Sequence, residues 1–296
     1  MSLPASPIPR LTVALTFDHD AIAAHVHDGS GPVALSRGHY GGRVGIWRVL
    51  ELLDRQAIKA TFFVPVHTAL SFPDGVRAII DGGHEIGSHG WFHEDLAKVP
   101  ASDERALLER SLETLTSISN VRPIGFRAPY WSLSDTTLHF ADELGYDYDS
   151  SLMADDARPY FVEDGVRHDA SGGSSFGPRT KLVEFPVSRT LDDWPYFEPS
   201  RNSTGASIGP RAVLEIWADE IGWLHEHEPG GVVTLTMHPE VIGRPSRISM
   251  LERLIGRLQL VEGLRFCRLD EALAEWRRQG SPERHASALA TGGLER

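Results

Sequence analysis

The chain has 296 residues, 41% of them hydrophobic, enough for one sizeable core and for an α/β barrel built as a single domain. Its 29 Lys and Arg stand against 41 Asp and Glu, a formal net charge of −12 with no basic run, so no nucleic-acid partner is expected. No apolar run approaches the roughly 20 residues that span a bilayer, the start "MSLPASPIPR" lacks the pattern of a signal peptide, and the single Cys267 forms no intrachain disulfide; a soluble cytoplasmic protein with no membrane partner is expected.

In chain order, "LTVALTFDHD" (11–20) is a β-branched apolar run ending in acids, and predicts a buried strand that stops at a polar site. Val44, Trp47, Leu50 and Leu53 then follow at helical spacing, and residues 60–66 predict a second buried strand. "PDGVRAIIDGG" (73–83) predicts a helix with Pro near its start and Gly past its end, and "HEIGSH" (84–89) a short strand. Residues 102–119 form an amphipathic pattern with a capping signal at Ser102. A strand ending in a proline turn (124–130), a helix closed by Gly145 (134–144) and a strand end (146–151) come next. Residues 155–180 are rich in Gly, Ser and Pro and predict loops over one end of the molecule. Strand and helix then alternate through 181–187, 209–227, 230–240, 246–261, 264–269 and 270–279. The domain is read as 1–278, with a small polar tail over 279–296.

About seven strand–helix alternations imply a parallel sheet with helices outside, either closed as a barrel or open and doubly wound. Asp18, Asp20, His89, Arg127, Asp149, Asp192, Asp193 and His238 all fall at predicted strand ends. Parallel α/β folds place their active sites there.

His89 and His93 of "SHGWFHEDL" stand four apart, so on a helical turn they would share one face and one cation. Position 90 is Gly, which excludes the H-E-x-x-H pattern of zinc proteases. In a chain with 14 histidines such a pair means little without a third ligand. Asp20 of "TFDHD" can supply it, with Glu94 supporting a histidine and not the metal. Two imidazoles and one carboxylate suit zinc, and also iron, cobalt or manganese, and leave positions for water and substrate. Asp18 then stays free as a base, and His19 points to the other face of its strand.

Arg127 of "FRAPYW" can hold Asp18 by a two-pronged pair, and the Tyr130 N–H can face an oxyanion. His238 of "TLTMHPEV" can protonate a leaving amine, tuned by Asp192 or Asp193 of "LDDWPYF" beside the aromatic Trp194. Each motif alone also fits a bland reading: an acidic turn, a surface arginine, or a polar strand end.

TFDHD, the H-x-x-x-H pair, RAPYW, the Asp-Trp of LDDWPYF and TMHPE, in this order over about 11–275, resemble the polysaccharide deacetylase (NodB-homology) family. The resemblance implies a distorted (β/α) barrel of about seven strands and metal-assisted hydrolysis of an N-acyl bond on an N-acetylated sugar. It implies Asp18 as base, Asp20, His89 and His93 on a divalent metal, Arg127 holding the base, and His238 as acid tuned by Asp192 or Asp193. Two departures stand out: His19 separates aspartates that are adjacent in the common T-F-D-D-G form, and the Asp-Trp motif is altered.

"LSRGHYGGRVG" (35–45) and "PVSRTLDDWPYF" (186–197) resemble a cytoplasmic branch that includes peptidoglycan-deacetylase-like proteins of Helicobacter type and allantoinases. That branch implies a homo-oligomer and, as alternative substrates, small cyclic imides, amides or ureides, the last sometimes without metal. An open aromatic groove would favour the sugar; a pocket closed by 29–43 and 155–180 would favour the small ring. His39 and Tyr40 are expected over the pocket or at a subunit interface. A non-catalytic carbohydrate-binding protein is the third reading.

Overall fold

The computed structural model describes residues 9–198 and 208–281, so the tail beyond 281 lies outside the described residues. Strands β1 (Leu11–Asp18), β2 (Thr61–Val64), β3 (Glu85–Ser88), β4 (Gly125–Phe126) and β5 (Tyr148–Asp149) come first. Then come β6 (Tyr160–Glu163), β7 (Val166–Asp169), β8 (Gly173–Phe176), β9 (Arg179–Glu184), β10 (Gly231–Met237) and β11 (Leu264–Phe266).

Seven strands run parallel in the order β10-β1-β2-β3-β4-β5-β9 and curl into the wall of a distorted barrel. At the far end, a parallel bridge between Asp192 and Thr236 brings the chain after β9 back to β10. One edge of β1 is shared: Leu11–Val13 pair with β11 and Thr16–Asp18 with β2. Every residue of β1, β2 and β10 is buried. That follows from helices covering the outer face, and explains why these strands read as unbroken apolar runs. Trp217, Ile221 and Leu224 of the helix Pro210–His227 and Leu251, Leu254 and Ile255 of Pro245–Leu258 supply part of that cover.

Several sequence expectations change. In the helix Ile46–Arg55 the buried residues are Ile46, Val49, Leu52 and Leu53, while Val44 and Trp47 are exposed. A spacing of three drifts off a stripe that repeats every 3.6 residues. Ser102 is not a cap: the helix starts at Ala101 behind Pro100, whose carbonyl accepts from the Asp103 and Glu104 amides. Residues 155–180 are not plain loop. They hold β6, which pairs antiparallel with β9, and the β7–β8 hairpin, whose exposed, polar residues hid the strand signal. Tyr40 does not line the pocket. Its hydroxyl donates to the Gly243 carbonyl, and the Arg244 guanidinium lies 3.6 Å from its ring centre. His39 sits edge-on to Phe72.

Candidate active site

The C-terminal ends of β1, β3, β4 and β10 converge on one buried cluster. Asp20 sits two residues past β1, His89 just past β3, Arg127 just past β4 and His238 just past β10. His93 arrives on the loop after β3 with φ +65°, so the histidine pair is not on a helix. The loop turns through Gly90 (φ +72°) and places both rings on the same side, their centres 4.9 Å apart. Glu94 shapes this loop and does not support a histidine; its carboxylate accepts from the Trp91 and Phe92 amides. Ala21, Tyr130 and Trp131 also have left-handed backbones. Such conformations are uncommon for these residues and gather where a site over-determines the chain.

On the first side of the cluster, His89 Nε2 lies 3.4 Å from Asp20 Oδ1 and His93 Nε2 lies 3.3 Å from Asp20 Oδ2. His89 Nδ1 is 2.7 Å from the Arg127 carbonyl. That contact assigns Nδ1 the proton and leaves Nε2 as a bare lone pair. His89 Nε2 and Asp20 Oδ1 are buried without a hydrogen-bond partner. Orphaned acceptors aimed at one point fit a divalent cation, and the three donors lie within 4.8 Å of one another. Burial keeps both imidazoles neutral, pushing His89 down and His93 down to about 3, while burial above all raises Asp20.

Asp18 borders this group. Arg127 Nη1 donates to Asp18 Oδ1 at 2.7 Å, leaving Oδ2 3.9 Å from His89 Nε2 and 4.0 Å from His238 Nε2. Burial works to raise Asp18, but Arg127, His89 and His238 outweigh it and hold the carboxyl below its ordinary value. The expected two-pronged pair does not form. Arg127 gives Asp18 one N–H and gives three more to Thr16 Oγ1, Ser150 O and Ser150 Oγ. A fully buried guanidinium with five N–H groups needs more acceptors than one carboxylate supplies. His19 turns outward as expected, its ring nitrogens without partners; its Nε2 sits 3.9 Å from where a Cβ on Gly75 would be.

On the second side, His238 Nδ1 is 2.7 Å from Asp193 Oδ1, and the His238 backbone N–H donates to Asp193 Oδ2 at 3.1 Å. Asp192 Oδ1 lies 3.9 Å from Nδ1 and instead accepts from the Trp194 amide. Asp193 is therefore the histidine's partner. Burial alone would lower His238, but Asp193 first, then Asp192 and Asp20, hold it well above the usual imidazole range. Trp194 packs edge-on against His238 with ring centres 5.1 Å apart, and Arg37 lies 5.0 Å from the indole centre.

A cavity of about 520 Å³ opens over Asp18, Asp20, His93 and His238, walled by Tyr130, Trp131 and Trp194. Among the described residues, none from 155–180 lines it. A second cavity of about 800 Å³ shares Asp28, Tyr130, Trp131 and Arg189 with it, so the aromatic wall separates two parts of one cleft. Glu240, His25 and Arg189 border the first cavity and were not singled out in the sequence. Glu240 stands two residues past His238 in TMHPE, which was its only signal.

A parallel barrel that gathers two buried histidine–aspartate trios and a buried Asp18–Arg127 pair at its strand ends has the makings of a hydrolytic site. The polysaccharide deacetylase family model matches residues 6–148. A peptidoglycan deacetylase of Helicobacter pylori is 32% identical over 278 residues, covering 88% of this chain and 94% of that protein. A solved Mycobacterium smegmatis structure assigned to the polysaccharide deacetylases superposes with a TM-score of 0.81 at 33% identity, covering 96% of both chains. The Puue allantoinase structure shares the fold with a TM-score of 0.79 at 21% identity, over 94% of this chain and 93% of that one. The chain belongs to the polysaccharide deacetylase family and is a hydrolase acting on carbon–nitrogen bonds other than peptide bonds.

Proposed function

We propose that the chain removes the acetyl group from an N-acetylated sugar with the help of one divalent metal, zinc being the ion the donor set suits best, with iron, cobalt or manganese as substitutes. The observation that carries this reading is the bare, buried His89 Nε2 and Asp20 Oδ1 pointing at one spot beside Asp18. Asp20, His89 and His93 would hold the ion. A metal there lowers the pKa of a water it binds and polarises a carbonyl.

The protein's own groups do the rest. Asp18 Oδ2, kept ionised by Arg127, takes the proton from the attacking water. His238, kept protonated by Asp193, gives a proton to the leaving nitrogen from Nε2. The Tyr130 backbone N–H faces the developing oxyanion, and Trp194 flanks the sugar ring. The joined cavities and their aromatic wall support a sugar chain over a small cyclic imide, since residues 155–180 do not cap the site. The same reading keeps one catalytic domain over 1–278, a cytoplasmic location and a homo-oligomer, which cell fractionation and size-exclusion chromatography test.

The deciding experiment purifies the protein without chelator, measures bound metal, and assays an N-acetylglucosamine oligomer and a cyclic imide with and without chelator. About one metal per chain and chelator-sensitive release of acetate are expected. Turnover that survives complete metal removal, or turnover of the imide alone, overturns the reading.

A further inference from the structure

The mechanism leaves one pair of buried acids without a task. Asp149 ends β5 and Glu184 ends β9, and they are register partners across a parallel strand pair. Both are fully buried. Register partners on adjacent parallel strands project to the same face, and each of these two acids has one carboxyl oxygen, Asp149 Oδ2 and Glu184 Oε2, buried without a hydrogen-bond partner. Two neighbouring carboxyls can satisfy such oxygens on each other only with a proton between them.

The other contacts are fully specified. Glu184 Oε1 accepts from the Ser151 and Leu152 amides at 2.9 and 3.0 Å. Asp149 Oδ1 accepts from the Ser151 hydroxyl at 2.8 Å. Among the described residues, Asp149 Oδ2 and Glu184 Oε2 find no donor. The charged and titratable groups facing the pair are Arg127 after β4 and Tyr160 on β6, whose register partner is Glu184. The Arg127 guanidinium is already committed to Asp18, Thr16 and Ser150.

The pair is wired to the reaction centre by the two serines between its strand ends and RAPYW. The Ser151 hydroxyl, which donates to Asp149, accepts the Ala128 N–H at 2.9 Å, just before the Pro129–Trp131 turn. Ser150 receives the Arg127 Nε proton on its carbonyl and the Nη2 proton on its hydroxyl, both at 2.8 Å. Its hydroxyl passes its own proton to the Phe185 carbonyl, one residue past Glu184. Arg127 in turn holds Asp18.

We propose that Asp149 and Glu184 share a single proton, and that this acid pair is the positioning element that fixes residues 150–151, and through them Arg127, Asp18 and the Ala128–Tyr130 backbone. Neither acid touches substrate. A doubly ionised pair would repel and release Ser151, which both carboxyls bind. Burial raises both groups above their ordinary values, in keeping with a retained proton.

This inference rests on the deacetylase reading for its activity readout but has a readout that needs no substrate. In Glu184→Gln the amide supplies a fixed N–H toward Asp149, and its carbonyl still accepts from Ser151 and Leu152. The infrared difference between wild type and Glu184→Gln at pH 7 is expected to show loss of one protonated-carboxyl C=O band. Absence of that band overturns the proposal whether or not a substrate has been found. Activity of Glu184→Gln is expected within about threefold of wild type, the effect of one net hydrogen bond. Ser151→Ala, which cuts the link and removes only one oxygen, is expected to lower kcat by about 10- to 100-fold with KM nearly unchanged, because sub-ångström misplacement of reacting groups is that costly. A Ser151→Ala enzyme with wild-type kcat, or a Glu184→Gln enzyme as impaired as Ser151→Ala, overturns it. Wild-type protein that releases no acetate defeats the deacetylase reading alone and leaves the infrared test standing.

Discussion

The two sides of the cleft are made of the same parts and do opposite things. Each is a buried trio of histidine and aspartate, Asp20–His89–His93 on one side and Asp192–Asp193–His238 on the other. On the first, His89 gives its Nδ1 proton to a backbone carbonyl and meets Asp20 through a bare Nε2. On the second, His238 meets Asp193 through Nδ1 at 2.7 Å, and the same carboxylate also takes its backbone N–H. Burial therefore wins on the first side and leaves neutral imidazoles, while on the second side the carboxylates win and hold an imidazolium. Composition does not decide between neutral imidazoles and an imidazolium; His89 and His238 both engage Nδ1, and the difference is its partner, a neutral carbonyl in one and a carboxylate in the other.

The largest break in this contrast is expected from His93→Asn, which keeps a residue that tolerates the left-handed backbone there but removes an imidazole donor. Metal content should fall from about one per chain to near zero, with activity down by about 1,000-fold or more. Retained metal, measured by atomic emission, would reject His93 as a ligand. Asp193→Asn comes next, with kcat lower by about 100-fold, in line with removal of a tuned general acid. Because Asp193 raises His238, its loss should also move the alkaline limb of the kcat profile to lower pH.

The two sides should also differ in how the metal-free protein melts with pH. His93 is lowered from 6.5 to about 3, so the unfolded chain takes up protons first as pH falls below 6.5. Its contribution to stability is present above 6.5 and is lost toward pH 3. His238 is raised, so its contribution is complete below 6.5 and is lost as pH rises through its folded value. Each group bends the stability curve by at most about 1.4 kcal/mol per pH unit. Calorimetry of the metal-free single variants should remove the acid-side slope in one case and the alkaline-side slope in the other. The smallest effect is expected for Asp192→Asn, about threefold in kcat, since its nearest oxygen is 3.9 Å from Nδ1 and serves the Trp194 amide instead. A loss as large as that of Asp193→Asn would reverse the assignment of the two acids.

Much of this cleft was legible in the chain because strand ends are marked locally. An apolar run that stops at Asp18 or His238 announces both the strand and the rim where its last polar residue sits. Residues whose role depends on the partner across the sheet were not legible. Glu184 read as part of an ordinary strand, and only its pairing with Asp149 on β5 makes it one half of a shared acid. Glu94 looked like a histidine's support because it stands beside His93, yet the turn at Gly90 swings it onto backbone amides.

By itself the sequence determined the alternation of strand and helix, a parallel α/β sheet, and the identity of the groups gathered at one rim, because hydrophobic period and strand-end polarity are local properties. Tertiary structure alone decided that Asp193 and not Asp192 holds His238, that Arg127 divides its donors among Asp18, Thr16 and Ser150, and that residues 155–180 stay out of the described wall of the cleft. Those outcomes depend on differences of about an ångström between groups far apart in the chain, and hydrogen bonds are made or lost over that distance.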